Sequence, residues 1–238
     1  MKAVILAGGL GTRLQPFTKI IPKPLLPIGE SSVLEIQIHC LKKHGFNDIY
    51  IATNYKAKYI ETFLGDGSEY GVKITFSRET KPLGTVGPIE LLKDQLTEPF
   101  LLMNGDILTT FNFKKAYASA LKLKANLTVI TKEIITPFEF GYVISRGKYI
   151  TEIREKPQLH HEILAGIYFL KPEIFKFIPK NTYYNMDLLI KSLFHKKQKV
   201  GKYLMHDYWL DIGRSDDYKT AQEVFQKHFR KYRNDKKS

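Results

Sequence analysis

Lys2-Ala3-Val4-Ile5-Leu6-Ala7-Gly8-Gly9-Leu10-Gly11-Thr12-Arg13-Leu14 is the stretch that decides the fold. Lys2–Ala7 is a continuous apolar run, the pattern of a strand buried on both faces of a parallel sheet. It stops at Gly8-Gly9, where a backbone without Cβ atoms can approach a ligand and present consecutive N–H groups to an anion. Outward from this stretch the same alternation repeats. Ser32-Val33-Leu34-Glu35 is a capping box, and the helix it opens ends at Gly45. Asp48–Thr53 is a second strand, Tyr55–Leu64 a helical stretch, Gly65-Asp66-Gly67 a turn and Val72–Ser77 a third strand. Residues 85–96 read as helix, with Pro88 confined to the first turn. Phe100–Met103 is a fourth apolar run and ends at Asn104-Gly105-Asp106.

This β-α-β-α-β-α-β order predicts an α/β fold with a doubly wound, mainly parallel, Rossmann-like sheet. Ligands of such sheets bind outside the carboxyl ends of the strands, where both the glycine loop and the Asn104-Gly105-Asp106 turn fall. The second half is richer in strands: Asn126–Thr131, Gly141–Ser145, Tyr149–Ile153, Ile163–Leu170, Lys199–Met205 and Tyr208–Ile212. Arg146-Gly147-Lys148 reads as a hairpin turn. Helices are expected over Met186–His195 and from Ser215 toward the end. The expectation is one domain over 1–226, with halves of about 1–125 and 126–226, followed by a basic tail over 227–238.

With 43% hydrophobic and 26% charged residues among 238, the chain has the balance of a globular protein and not of a disordered one. No apolar run reaches the ~20 residues of a membrane-spanning helix. Met1-Lys2 and the short apolar run after it do not make a secretory signal. Cys40 is the only cysteine, so an intrachain disulfide is excluded and a thiolate zinc site disfavoured. A reducing, cytoplasmic setting is the default, and Cys40 reads as a core residue. Lys and Arg number 37 against 24 Asp and Glu, a formal charge of +13 that favours anionic partners.

Two well-known glycine motifs are excluded. Gly9-Leu10-Gly11 would need Gly or Ala at position 14 to complete a dinucleotide fingerprint, and Leu14 stands there. The Gly-Lys-Ser/Thr ending of a P-loop is absent as well. What remains is a glycine loop with two cations nearby, Arg13 and Lys23, a planar fork and a point charge suited to a polyphosphate.

Gly8-Gly9-Leu10-Gly11-Thr12-Arg13-Leu14 followed by Pro22-Lys23-Pro24 resembles the signature of the sugar-phosphate nucleotidylyltransferases, the NDP-sugar pyrophosphorylases. The likeness continues in order through Pro82-Leu83-Gly84-Thr85, Asn104-Gly105-Asp106, Glu155-Lys156-Pro157, Ala165-Gly166-Ile167-Tyr168 and Trp209-Leu210-Asp211-Ile212-Gly213. Within that family the run Pro82–Thr85 with Gly87-Pro88 is similar to the sugar-1-phosphate guanylyltransferases. The resemblance implies transfer of a nucleoside monophosphate to a sugar 1-phosphate, with GTP as first choice and dTTP, UTP and CTP as alternatives. It implies a nucleotide site at Leu6, Ala7, Gly8, Gly9, Gly11, Thr12, Arg13, Pro82, Gly84, Thr85, Asn104 and Gly105. It implies catalytic roles for Arg13, Lys23 and Asp106, and a Mg²⁺ cofactor on Asp106 and Asp211. The strand-rich half would hold the sugar through Gly141, Glu155, Lys156 and Gly166.

A homo-oligomer is the family expectation, and no nucleic-acid or membrane partner is expected; related chains often continue into a β-helix or regulatory domain, which this chain is expected to lack. One departure stands out: Leu164 occupies the place of the family's usual Asn before Ala-Gly-Ile-Tyr, so the identity of the sugar is left open among mannose, glucose, glucosamine and heptose. Two readings of other classes compete. The charge and 13% aromatics would suit a nucleic-acid binder, but no such module is present. A catalytically silent regulatory relative is opposed by the presence of Arg13, Lys23, Asp106 and Asp211.

Overall fold

The computed structural model describes residues 1–230; most of the expected basic tail, 231–238, lies outside the described residues. In chain order the strands are β1 Lys2–Leu6, β2 Pro27–Ile28, β3 Ser31–Ser32, β4 Asp48–Thr53, β5 Lys73–Arg78, β6 Phe100–Asn104 and β7 Ile107–Thr109. The second half adds β8 Leu127–Pro137, β9 Tyr142–Arg146, β10 Tyr149–Arg154, β11 Gln158–Leu170, β12 Val200–Met205 and β13 Trp209–Asp211. The α-helices are α1 Phe17–Ile20, α2 Val33–Lys43, α3 Ala57–Leu64, α4 Gly87–Glu90, α5 Phe113–Lys122, α6 Met186–His195 and α7 Ser215–His228.

Seven strands form one sheet in the order β12-β8-β11-β6-β1-β4-β5. β1 sits in its middle, parallel to β4 and to β6, with Leu6 level with Ala52 and Asn104. Only β11 runs antiparallel to its neighbours β6 and β8. The mainly parallel sheet read from the sequence is therefore observed, and the strand-rich second half continues it.

Side-chain alternation along β1 explains why both faces are covered. Ala3 and Ile5 join one core with Ile36 and Leu41 of α2, Ile60 of α3, Phe113 of α5 and Phe225 of α7. Val4 points the other way, into a second core with Ile89 and with Met186, Leu189 and Leu193 of α6. Each fully buried Val, Ile, Leu, Met or Phe among these contributes roughly 1.5–3 kcal/mol relative to exposure. The capping box of α2 is present: Ser32 Oγ accepts from Glu35 N–H, and Glu35 Oε2 accepts from Ser32 N–H. No helix among the described residues is long and apolar enough to cross a membrane.

Several elements differ from the sequence reading. The helix expected over 85–96 is regular only at Gly87–Glu90; beyond it the backbone closes mostly tighter three-residue turns, Leu92 N–H to Ile89 O and Lys93 N–H to Glu90 O among them. Helix α5 was not anticipated; Asn112 caps it, but its buried face is only Phe113, Ala116 and Ala120. β8 and β11 run on to Pro137 and Gln158, pairing with each other in an exposed arm. That arm leads to the β9–β10 hairpin, which turns at Gly147 with φ of +61° as the sequence suggested.

Candidate active site

The carboxyl ends of β1, β4, β5 and β6 surround a cavity of about 370 Å³. Its wall includes Leu6, Gly8, Gly9, Pro82, Gly84, Thr85, Asn104, Gly105 and Asp106, nine of the residues singled out from the sequence. Ala7, Gly11, Thr12 and Arg13 do not line it. Ala7 is buried, its N–H donating to Ala52 O at 2.8 Å. Gly11 takes a left-handed φ of +61°, with its carbonyl held by Thr18 Oγ1.

The floor of the cavity is set by close backbone approach. Gly105 N–H donates to Leu6 O at 2.9 Å, and a Cβ on Gly105 would lie 2.6 Å from that same oxygen. Gly105 thus lets β6 turn tightly over the end of β1, and Asp106 follows immediately. The Asn-Gly pair is not a hairpin turn between β6 and β7. β7 instead leaves the sheet and pairs antiparallel with β13, setting Asp211 opposite Ile107. Ile212 N–H donates to Asp106 O at 3.0 Å. This pairing brings the two aspartates, distant in sequence, to one place.

The charges around them are interlocked. Lys23 Nζ is paired with Asp106 Oδ2. The Arg13 guanidinium lies against Gly213, where a Cβ would be 3.4 Å from Nη1. Burial pushes Asp211 up to about 6, and the Asp106 charge adds to the rise, while Lys23 and Arg13 oppose it. Asp106 Oδ1 and Asp211 Oδ1 are both buried without a hydrogen-bond partner. Two unpartnered carboxylate oxygens with adjacent negative charge are a donor set that fits a hard divalent cation completed by phosphate and water. No cluster of three or more His, Cys, Asp or Glu side chains suited to a metal occurs among the described residues.

The residues expected at the sugar end divide into two groups. Gly166, with φ of +69°, packs against Asn104, whose Nδ2 would stand 2.8 Å from an added Cβ. Gly141 packs against Glu155 in the exposed arm, its would-be Cβ 3.2 Å from Oε2. Neither Glu155 nor Lys156 lines the cavity. Thr85 lines it, but its hydroxyl accepts from Met186 N–H and so ties the 82–87 segment to α6.

Sequence reasoning missed Glu79, Asn54 and Tyr183, all on the cavity wall. Glu79 is the most informative. It follows β5 directly, at the same carboxyl edge, and that position was the available signal. It is 9% exposed, and Oε2 accepts from Leu83 N–H at 2.7 Å. Oε1 lies beside Gly8, 2.8 Å from where a Cβ would be. Burial raises its carboxyl above the usual range, partly offset by the Leu83 N–H.

Known proteins share this architecture. A Bacillus anthracis protein assigned as a glucose-1-phosphate thymidylyltransferase, crystallised with sucrose, superposes with a TM-score of 0.77 at 26% identity, covering 94% of each chain. HddC of Yersinia pseudotuberculosis complexed with GMP-PN gives 0.73 at 28% identity, covering 94% of this chain and 99% of that one. In sequence, the mannose-1-phosphate guanyltransferase of Saccharomyces cerevisiae is 32% identical over 94% of this chain. Mannose-1-phosphate guanylyltransferase 1 of Arabidopsis thaliana is 32% identical over 97% of it. The chain spans 64% and 66% of the length of these two relatives. Residues 2–228 match the family described as nucleotidyl transferase, and the chain belongs to that family.

Proposed function

We propose that this protein transfers GMP from GTP to a sugar 1-phosphate, mannose 1-phosphate first among them, forming a GDP-sugar and releasing pyrophosphate. One observation carries the reading: Asp106, on the cavity wall, is electrostatically coupled to Asp211, which lies off that wall, both with unpartnered Oδ1 atoms and with Lys23 and Arg13 close by.

Chemically the step is an in-line displacement. An oxygen of the sugar 1-phosphate attacks the α-phosphorus, the bond to the bridging oxygen breaks, and its electron pair leaves with pyrophosphate. Such transfers depend on positioning and charge neutralisation, without a covalent enzyme intermediate. The backbone at Leu6, Gly8 and Gly9 would hold the nucleoside, with Pro82, Gly84, Thr85, Asn104 and Gly105 shaping the rest of the wall. Arg13 would hold the triphosphate and Lys23 the α-phosphate. Mg²⁺ held by Asp106 and Asp211 would supply further neutralisation of phosphate charge when bound. Glu155 would accept from sugar hydroxyls and Lys156 would approach the sugar phosphate, with Gly141 and Gly166 allowing close backbone contact.

Base choice rests on Glu79. Guanine presents two adjacent donors, N1–H and the N2 amino group, to a carboxylate. Thymine and uracil flank their single N3–H with carbonyl oxygens that a carboxylate repels, and cytosine and adenine present a ring nitrogen acceptor. A buried carboxylate with one oxygen committed to Leu83 and the other at the cavity wall therefore favours guanine. The names of the yeast and plant relatives support the same base and supply mannose as the first acceptor. We take 1–226 as one catalytic domain, since strands from both halves share the central sheet.

The test is pyrophosphate release with Mg²⁺, crossing GTP, dTTP, UTP and CTP with mannose, glucose, glucosamine and heptose 1-phosphates. Release that requires both substrates and is strongest with GTP and mannose 1-phosphate is the expected result. Nucleotide binding without release from any pair would move the reading to a regulatory relative. Salt-sensitive binding of DNA or RNA without turnover would overturn it.

A further inference from the structure

Gln37 lies on α2, outside the cavity wall, with 2% of its surface exposed. Its side-chain amide donates twice from the same nitrogen: Nε2 bonds Asn104 O at 2.9 Å and Ile107 O at 2.8 Å. Those two carbonyls bracket Gly105-Asp106. Lys23 pairs with the Asp106 carboxylate itself; the loop's backbone is otherwise held through Gly105 N–H to Leu6 O on one side and Ile212 N–H to Asp106 O on the other. Gln37 is thus the side chain that bridges the start and the end of the turn carrying Asp106.

The other end of the same amide makes the arrangement informative. Gln37 Oε1 is buried and has no hydrogen-bond partner. Burying an amide oxygen without a donor is unfavourable, and an apolar side chain of similar volume would avoid it. A glutamine confined there satisfies two loop carbonyls at the expense of its own oxygen. The imbalance is what a positioning role requires: the gain is placed on the loop and not on the helix that supplies it.

We propose that Gln37 is a positioning residue that fixes the 104–107 turn, and with it the direction of the Asp106 carboxylate toward the divalent cation. This rests on the nucleotidyl-transfer reading above, in which Asp106 is a cation ligand. Gln37 acts only through the loop and touches neither nucleotide nor metal. Residues that orient ligands from behind in this way typically alter metal affinity or activity by roughly 10- to 100-fold when replaced.

Glu at position 37 keeps the shape and removes the donor, placing a carboxylate oxygen against two carbonyl oxygens. Mn²⁺ serves as the probe, titrated into the full-length protein and followed by the loss of the free-ion electron paramagnetic resonance signal, with steady-state kinetics alongside. For Gln37→Glu we expect Mn²⁺ affinity to fall about 10-fold or more, kcat to fall with it, and the KM for GTP to stay within about threefold. Mn²⁺ affinity within about twofold of wild type in a folded variant overturns the proposal. So does an equal loss of GTP binding, which would mark a general loosening of the site. If Gln37→Glu does not fold, Gln37→Met keeps the volume without the opposing charge and is judged by the same criteria. Wild-type protein that binds no Mn²⁺ overturns both this inference and the reading beneath it; normal binding by wild type and variant alike overturns this inference alone.

Discussion

Asp106 and Asp211 are brought together by a strand pair that belongs to neither half of the main sheet. β7 leaves the end of β6, β13 returns from the second half, and Asp211 stands opposite Ile107 while Asp106 O accepts from Ile212 N–H. The chain thereby closes its second half onto the carboxyl edge of its first. The backbone of this pair does not use either carboxylate, so the charge at position 106 can be removed without unpicking it.

That separation yields the first prediction. Asp106→Asn should lower kcat by at least 10²–10³-fold, the scale for losing a preorganised electrostatic partner in such a transfer. Its thermal midpoint should remain close to wild type, because the hydrogen bonds of Gly105 and Ile212 are unchanged. Pyrophosphate release and a circular-dichroism melt on the same preparation test both halves. Wild-type turnover would remove Asp106 from the mechanism.

Glu79→Gln should relax base selection. The amide keeps a carbonyl oxygen for Leu83 N–H but turns an NH₂ toward the cavity, where guanine offers donors of its own. We expect kcat/KM for GTP to fall about 10-fold or more while that for UTP or dTTP holds or rises, since a site built for a donor edge loses that discrimination when its acceptor is removed. Equal losses with every nucleotide would show that Glu79 supports the 79–83 turn and does not read the base.

The same substitution has an opposite consequence for stability. Burial holds the Glu79 carboxyl above its unfolded value near 4.5. Its contribution is therefore fully present below that unfolded value and is lost as pH rises through the folded one. Gln cannot ionise and escapes the loss. Urea unfolding of nucleotide-free protein should show Glu79→Gln gaining on wild type from pH 5 upward, with the advantage vanishing near pH 4. A constant difference across that range would show that the carboxyl is not strained by burial.

Glu79 also marks how far the sequence could be read. The apolar run of β1, the break at Gly8-Gly9 and the turn at Asn104-Gly105-Asp106 are local signals, and the structure places all three at one cavity. Asp211 is different: an Asp before Gly213 has no local mark of function, so only the ordered family resemblance singled it out, and the β7–β13 pairing supplies the physical reason by carrying it to Asp106. Glu79 was passed over because a single acid after a strand is indistinguishable from a solvated turn residue until Leu83 N–H is seen to bind it. Helix α5 escaped for a related reason, since its buried stripe beyond Phe113 is alanine and carries little apolar contrast. The region 85–96 failed in the other direction. Its helical pattern is realised as one short α-helical turn followed by tighter i→i−3 turns, Leu92 N–H to Ile89 O and Lys93 N–H to Glu90 O, which apolar spacing does not distinguish from α-helix.

The cavity floor gives a final test, because two of its glycines differ in what a methyl group would meet. At Gly105 a Cβ would fall 2.6 Å from Leu6 O, a backbone atom that cannot swing aside. Gly105→Ala must push β6 away from β1 and lengthen the Gly105–Leu6 hydrogen bond, at about 1–3 kcal/mol by the usual scale of overpacking. Asp106 would be displaced with it, so activity should fall further than stability. At Gly9 an added Cβ meets nothing within 4 Å, and its φ lies outside the left-handed region. Gly9→Ala should therefore leave the urea midpoint within about 0.5 kcal/mol of wild type, yet raise the KM for GTP, since the new methyl occupies space at the cavity wall. Equal stability losses in the two variants would mean that the floor is looser than the Gly105–Leu6 contact implies. A Gly9→Ala variant with unchanged KM would mean that the nucleotide does not approach this part of the loop.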